Sequence, residues 1–192
     1  MIQYSLRSLQ RLIRSKLSIF FNKKEYSNSK IIKIIDEVYQ ISKNYLKLQK
    51  KNRKKTHKIF SKKVFNLIRK KQFLNFLQLS FIQQMFFVHN RLYLLSYLNE
   101  LKNSSKWKLW KKLIIETNVG NPVRYFLYPK SSGNKIFQTY HLKKYEDFCK
   151  ISLRKFNCVV EFGGGYGNMA ATFGKINPNI KYIIFDTFEV NL

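Results

Sequence analysis

Glu161 stands two residues before the first of four glycines in the run Glu161-Phe162-Gly163-Gly164-Gly165-Tyr166-Gly167, and the next acid, Asp186, follows nineteen residues after Gly167. Gly163 and Gly165 lack the Cβ that would hold a ligand away from the main chain, and both tolerate positive φ. Gly167 lets a following helix begin close to the preceding strand. The N–H groups of that helix start suit a negatively charged or carboxylate-bearing ligand. A carboxylate at position 161 can accept hydrogen bonds from an amine or from water held by one. Asp186, at the end of a second strand, is suited to the two hydroxyls of a ribose. Thr187 and Phe188 come next, and an adenine ring can lie against Phe188. This is binding chemistry. His57, His89 and His141 stand apart from the pattern, and nothing marks any of them, or any other residue, as a base.

The elements that must hold these residues are short and well marked. "CVVEF" reads as an apolar strand, "NMAATFGKI" as a helix, "NPNI" as a loop and "KYIIFD" as a second apolar strand. A strand, a helix and another strand with unbroken apolar character begin a parallel sheet. "HLKKYEDFCKISLRKF" reads as a short helix leading into the first strand. Before it, "VGNPVRYFLYPKSSGNKIF" carries turn signals at Asn121-Pro122, Tyr128-Pro129 and Ser132-Gly133. Residues 119–157 are therefore a linker and lead-in helix, ahead of an α/β unit at 158–192.

The first 118 residues have a different texture. The first glycine is Gly120 and the first proline Pro122, which together with apolar spacing predicts a helical region. One helix starts near Ser27-Asn28-Ser29 and carries Ile31, Ile34, Ile35, Val38, Ile41, Tyr45 and Leu48 at helical intervals. A second carries Phe60, Val64, Leu67 and Ile68. A third spans Gln72–Leu101, and Ser104 or Ser105 caps the next. The opening "MIQYSLRSLQRLIRSKLSIFF" is amphipathic, Arg-rich and free of acids, and is read as a first surface helix, with a transit peptide or interfacial helix as the alternative.

The 192 residues carry a formal charge of +27, and it is unevenly spread. Residues 1–118 hold 27 Lys/Arg against 5 Asp/Glu, net +22; residues 119–192 hold 10 against 5, net +5. Such a region attracts polyanions: nucleic acid, an anionic membrane face or a phosphorylated substrate. A bias toward Lys, Asn, Ile, Phe and Tyr across the chain accounts for the same charge without any partner. Cys149 and Cys158 make neither a disulfide framework nor a zinc site and fit a reducing compartment. No stretch reads as a transmembrane helix.

"VVEFGGGYGNMA" followed by "KYIIFDTFEV" resembles the first two motifs of class I S-adenosylmethionine-dependent methyltransferases. More narrowly, "E-x-GGGYG", "YIIFD-x-x-E" and the upstream "VGNP" are similar to the bacterial putative sugar O-methyltransferase family. The second strand there usually ends in Asp-Leu-Pro-Glu, where this chain has Asp186-Thr187-Phe188-Glu189. The motifs cover about residues 119–192 only. The resemblance implies an α/β chain: a mainly α-helical N-terminal region, then the first β-α-β unit of a Rossmann-like methyltransferase fold, incomplete at Leu192 and expected to be inactive alone as a fragment. It implies S-adenosyl-L-methionine as cofactor and methyl transfer to a hydroxyl of a surface-polysaccharide or lipopolysaccharide sugar, in the cytoplasm or at the inner membrane face. Gly163, Gly165 and Gly167 would line the methionine part, with Gly164 and Tyr166 in the same turn. Glu161 would place the amino group, Asp186 the ribose, with Thr187 and Phe188 at the rim.

Two alternatives stay open. Gly165-Tyr166-Gly167-Asn168-Met169-Ala170 also fits the looser NAD(P) fingerprint with Ala last, although that turn does not need Glu161. The basic region taken alone is a candidate module for nucleic acid or anionic lipid.

Overall fold

The computed structural model describes residues 90–186 without a break, together with 72–79, 82–83 and the single positions 37, 40 and 66. Of the helices expected before residue 72, positions 37, 40 and 66 are described and are helical; the rest lies outside the described residues. What is described mixes helix and strand: four α-helices and two small sheets.

Helix α1 (Tyr93–Lys102) buries Leu94, Leu98 and Leu101, spaced to fall on one face. Helix α2 (Trp107–Ile114) buries Trp110, Leu113 and Ile114 and leaves its lysines outside. Ser104 caps the approach to α2: its Oγ accepts the N–H of Lys106 at 3.2 Å and the indole N–H of Trp110 at 3.1 Å. The continuous helix expected over 72–101 is broken. A 3-10 segment occupies Gln72–Gln78, kinked at Asn75, positions 82 and 83 are helical, and α1 begins at Tyr93 after residues outside any helix at 90–92. Asn90, just before α1, is at a bend and not in helix. Its side chain donates to the Arg124 carbonyl at 3.1 Å and accepts the N–H of Phe126 at 3.3 Å, two long-range bonds that tie this position to the segment after Gly120.

The turn-rich stretch after Gly120 closes a hairpin. Strand β1 (Arg124–Tyr125) pairs antiparallel with β2 (Tyr128–Ser132). Ser132 then caps α3 (Gly133–Cys149), its side chain accepting the N–H of Lys135. Helix α3 thus starts eight residues before His141, where the sequence suggests only a short helix. It packs on α1 through Tyr97 and Tyr140, whose rings stack at 3.8 Å, and through a Lys144–Glu100 ion pair of 2.8 Å.

Strand β3 (Cys158–Phe162), helix α4 (Asn168–Ile176) and strand β4 (Lys181–Phe185) complete the described chain. The strands are parallel and in register, Val159 opposite Tyr182 and Glu161 opposite Ile184. One apolar cluster joins α1, α2, the hairpin, the α3 start, Leu153 and the α4 residues Phe173 and Ile176, with Val159 and Tyr182 packed against it. Each fully buried aliphatic or aromatic side chain contributes about 1.5–3 kcal/mol to holding this arrangement. No helix among the described residues is long and apolar enough to cross a membrane.

Candidate functional site

The ladder between β3 and β4 runs one residue past the strands, with the Gly163 N–H donating to the Phe185 carbonyl at 2.8 Å. The chain then turns through three left-handed glycines, Gly163 (φ 76°), Gly165 (φ 59°) and Gly167 (φ 74°). Any L side chain in that conformation costs about 1–2 kcal/mol. Gly164 is required for a different reason. A Cβ there would sit 2.6 Å from Ile184 Cγ2 and 3.0 Å from Glu161 Oε2. The Gly167 N–H returns to the Gly164 carbonyl at 3.0 Å, and the first bond of α4 runs from Ala171 N–H to the Gly167 carbonyl.

The two acids converge on this turn. Asp186 Oδ2 accepts the Gly165 N–H at 2.8 Å, which brings the end of β4 over the glycines. Glu161 Oε2 accepts the Tyr182 hydroxyl at 2.8 Å, and among the described residues Tyr182 is the side chain bonded to that carboxylate. Burial, and then the Glu161 carboxylate itself, push the Tyr182 phenol well above its ordinary range, so it stays a donor at neutral pH. The glycines also leave room. A Cβ built on Gly163 or on Gly167 meets none of the described residues within 4 Å. The turn therefore presents bare main chain at Gly163 and Gly167, with the Glu161 carboxylate close to Gly164 and α4 starting just beyond. That donor and acceptor set fits an amino-acid-like group carrying an ammonium and a nearby hydroxylated ring.

Tyr166 turns into the protein. Its ring meets Phe76 edge-on with centroids 6.2 Å apart. Burial first, and the charge of Glu116 second, raise its phenol well above the ordinary value, while a hydrogen bond with Asn134 opposes them. Phe76 is itself fixed by the 119–122 segment: the Leu77 N–H donates to the Gly120 carbonyl at 2.9 Å, and Gln78 Nε2 to the Asn121 carbonyl at 2.6 Å. The upstream "VGNP" thus supports the wall against which Tyr166 rests. Thr187 and Phe188 lie outside the described residues.

A set of polar residues that carried no sequence signal supports the turn from below. Lys135, 1% exposed, donates to the Asn168 carbonyl at 3.1 Å and to Thr172 Oγ1 at 2.6 Å. The Thr172 hydroxyl donates to the Asn168 carbonyl at 2.8 Å, and Asn168 Nδ2 donates to Gln138 Oε1 at 2.6 Å. Glu116 accepts a short bond from the Ser132 hydroxyl and the N–H of Thr117 at 3.1 Å. Burial pushes the Lys135 ammonium down to about 8, with Glu116 opposing the shift and Lys175 adding to it. In a chain with 37 Lys/Arg, one buried lysine has no distinguishing neighbour in the sequence. The one available signal was Ser132, whose capping role would have placed Lys135 in the first turn of a helix.

His141 is exposed, its Nδ1 2.8 Å from the Phe137 carbonyl, and lies on α3 away from the turn; His57 and His89 are outside the described residues. Among the described residues no group of three His, Cys, Asp or Glu side chains is placed to hold a metal ion. Cys149 and Cys158 are free thiols. Among the described residues the turn offers acceptors in Glu161 and Asp186, main-chain N–H groups and bare glycine backbone. No protein-family model, curated protein or solved structure matches this chain.

Proposed function

We propose that the turn between β3 and α4 binds S-adenosyl-L-methionine, and that the chain serves methyl transfer to a sugar hydroxyl in surface-polysaccharide or lipopolysaccharide synthesis. The observation that carries the binding half is the convergence of Glu161 and Asp186 on a turn that presents bare main chain at Gly163 and Gly167, with Asp186 bonded to the Gly165 N–H at 2.8 Å. The finer fold reading, the first β-α-β unit of a Rossmann-like domain, goes with it. Parallel strands β3 and β4 joined through α4 support that reading. The acceptor half rests on the motif resemblance at "E-x-GGGYG", "YIIFD-x-x-E" and "VGNP".

Each residue has a task under this proposal. Glu161, held by Tyr182, accepts hydrogen bonds from the ligand's ammonium. Gly163, Gly165 and Gly167 let the methionine part lie against the main chain, and Gly164 keeps the turn clear of Ile184. Asp186 accepts from the ribose hydroxyls while it holds Gly165, and Thr187 and Phe188 border the adenine. Tyr166 acts from beneath, as the prop of the turn. Bound there, the compound would supply its sulfonium methyl group: the carbon–sulfur bond would break as the sugar oxygen bonds to that carbon, leaving S-adenosylhomocysteine, and the hydroxyl proton would pass to water. Charged side chains in the basic region would draw a phosphorylated sugar or a glycolipid at an anionic membrane face, in the cytoplasm.

Isothermal titration of the whole chain with S-adenosylhomocysteine, and separately with NADH, tests the proposal. Saturable one-to-one binding of the first and none of the second is expected. Asp186→Asn keeps an acceptor for Gly165 but removes the charge, and it should weaken the affinity about tenfold, roughly 1.4 kcal/mol. Binding of NADH alone would transfer the site to the dinucleotide alternative. A second reading is favoured by the net +22 of residues 1–118. It predicts retention of the chain on DNA or on anionic vesicles that falls steeply between low and moderate salt. Passage through both at low salt would remove it.

A further inference from the structure

The first two turns of α3 meet the glycine turn along a single polar seam. Asn134 lies beside the Tyr166 hydroxyl, Lys135 reaches the Asn168 carbonyl and Thr172, and Gln138 takes the Asn168 side-chain amide at 2.6 Å. Positions 134, 135 and 138 share one side of the helix, and Ser132 fixes where that helix begins. At the far side of the seam stand the left-handed Gly167 and the first turn of α4. Lys135 is the one member that bonds to two points of α4 at once, a carbonyl at its first residue and a hydroxyl one turn on. Both acceptors are buried, and so is the lysine. Loss of the ammonium would take the donor from the buried Thr172 oxygen and leave the Asn168 carbonyl with the Thr172 hydroxyl at 2.8 Å, and charge-assisted bonds of this kind are among the stronger ones in a protein.

We propose that Lys135 is the positioning residue of the glycine turn: its clamp on Asn168 and Thr172 sets where α4 begins, and thereby keeps the space beside Gly163 and Glu161 open to the ligand. Lys135 touches no ligand itself. Its effect on affinity rests on the binding reading above, whereas its effect on the order of the turn does not. Thr172 has a matching part, because its hydroxyl accepts from Lys135 and donates onward to the Asn168 carbonyl. A serine at 172 preserves both bonds and a valine preserves neither.

The test uses the whole chain in four forms: wild type, Lys135→Met, Thr172→Val and Thr172→Ser. Amide hydrogen exchange is followed at 165–172 and, as an internal reference, at Leu98 and Leu101 of α1. Titration with S-adenosylhomocysteine is run alongside. Lys135→Met and Thr172→Val should speed exchange in the turn by about tenfold or more, with α1 unchanged, and weaken the ligand by a similar factor of about ten. Thr172→Ser should behave as wild type in both measurements. Unchanged exchange in the turn of Lys135→Met overturns the proposal, as does acceleration spread equally over α1, or a Thr172→Ser that fails to rescue. Should Lys135→Met not fold, the valine and serine pair decides alone. Should wild type not bind the ligand, the binding reading fails by itself, and the exchange data still uphold or refute the clamp.

Discussion

Alternate residues of β3 and β4 build two faces with opposite fates. On one, Val159, Glu161, Tyr182 and Ile184 turn toward α4, and the Tyr182 ring lies 5.8 Å from that of Phe173. On the other, Val160, Phe162 and Phe185 are 50%, 79% and 55% exposed, and the rings of Phe162 and Phe185 stack at 5.2 Å with nothing above them among the described residues. Parallel strands ordinarily carry a layer on each face. The contrast shows which layer holds the glycine turn in place. The carboxylate of Glu161, the tyrosine that holds it, the closely fitted Gly164 and the polar seam of α3 and α4 all belong to the packed side. The open side adds apolar surface but no polar contact to the turn. Substitutions on the two faces should therefore differ in size, and in whether they reach the ligand.

The largest difference should come from Phe173→Ala. Phe173 is 4% exposed and packs between Phe156 and Tyr182, so its removal leaves a cavity under the strands. Urea unfolding should report a loss of about 3–5 kcal/mol, and a loss below that of an ordinary surface change would mean the packed face does not hold the strands.

Next comes the alkaline behaviour of Lys135. Its folded value is lowered from 10.5 to about 8 by burial, so between those values the unfolded chain holds more protons than the folded one. The burden of burying the charge is complete below about 8, and stability rises with pH as it is lifted. Stability measured at pH 8, 9 and 10 should climb in wild type relative to Lys135→Met, approaching a difference on the order of 3 kcal/mol. Tyr166 and Tyr182, whose raised phenols act in the opposite sense above pH 10, are common to both proteins and drop out of the comparison. A falling or flat difference would contradict the buried placement of Lys135.

Gly164→Ala forces a Cβ to within 2.6 Å of Ile184 on the packed face and should cost about 1–3 kcal/mol by thermal unfolding. Phe162→Ser on the open face should stay within about 0.5 kcal/mol of wild type, because most of that ring already lies in water. If Phe162→Ser costs as much as Gly164→Ala, the asymmetry between the faces is not real.

The readability of this molecule from its sequence follows the same division. The strand over 158–162, the helix over 168–176 and the strand over 181–185 were plain, since unbroken apolar runs bounded by a glycine cluster and by Asn177-Pro178-Asn179 leave little choice of element. The convergence of Glu161 and Asp186 followed from that order alone. The start of α3 was hidden because a polar first turn, Gly133-Asn134-Lys135, looks like solvated loop and is in fact buried. Tyr182 was hidden as one more aromatic in an apolar strand, its hydroxyl bond to Glu161 being visible only once β3 and β4 are set side by side. The break before α1 falls where Asn90 bonds to Arg124 and Phe126, partners more than thirty residues away that no local pattern encodes.

The central claim is that the bare outer side of the turn is a seat for S-adenosyl-L-methionine, and Gly163→Ala tests it most directly. The new methyl group meets no described residue within 4 Å, and the left-handed backbone adds strain of only about 1–2 kcal/mol. Calorimetric titration with S-adenosylhomocysteine should show one-to-one binding to wild type and an affinity lower by about tenfold or more in the folded variant. Equal affinity in the two proteins, or no binding by wild type, would contradict the account.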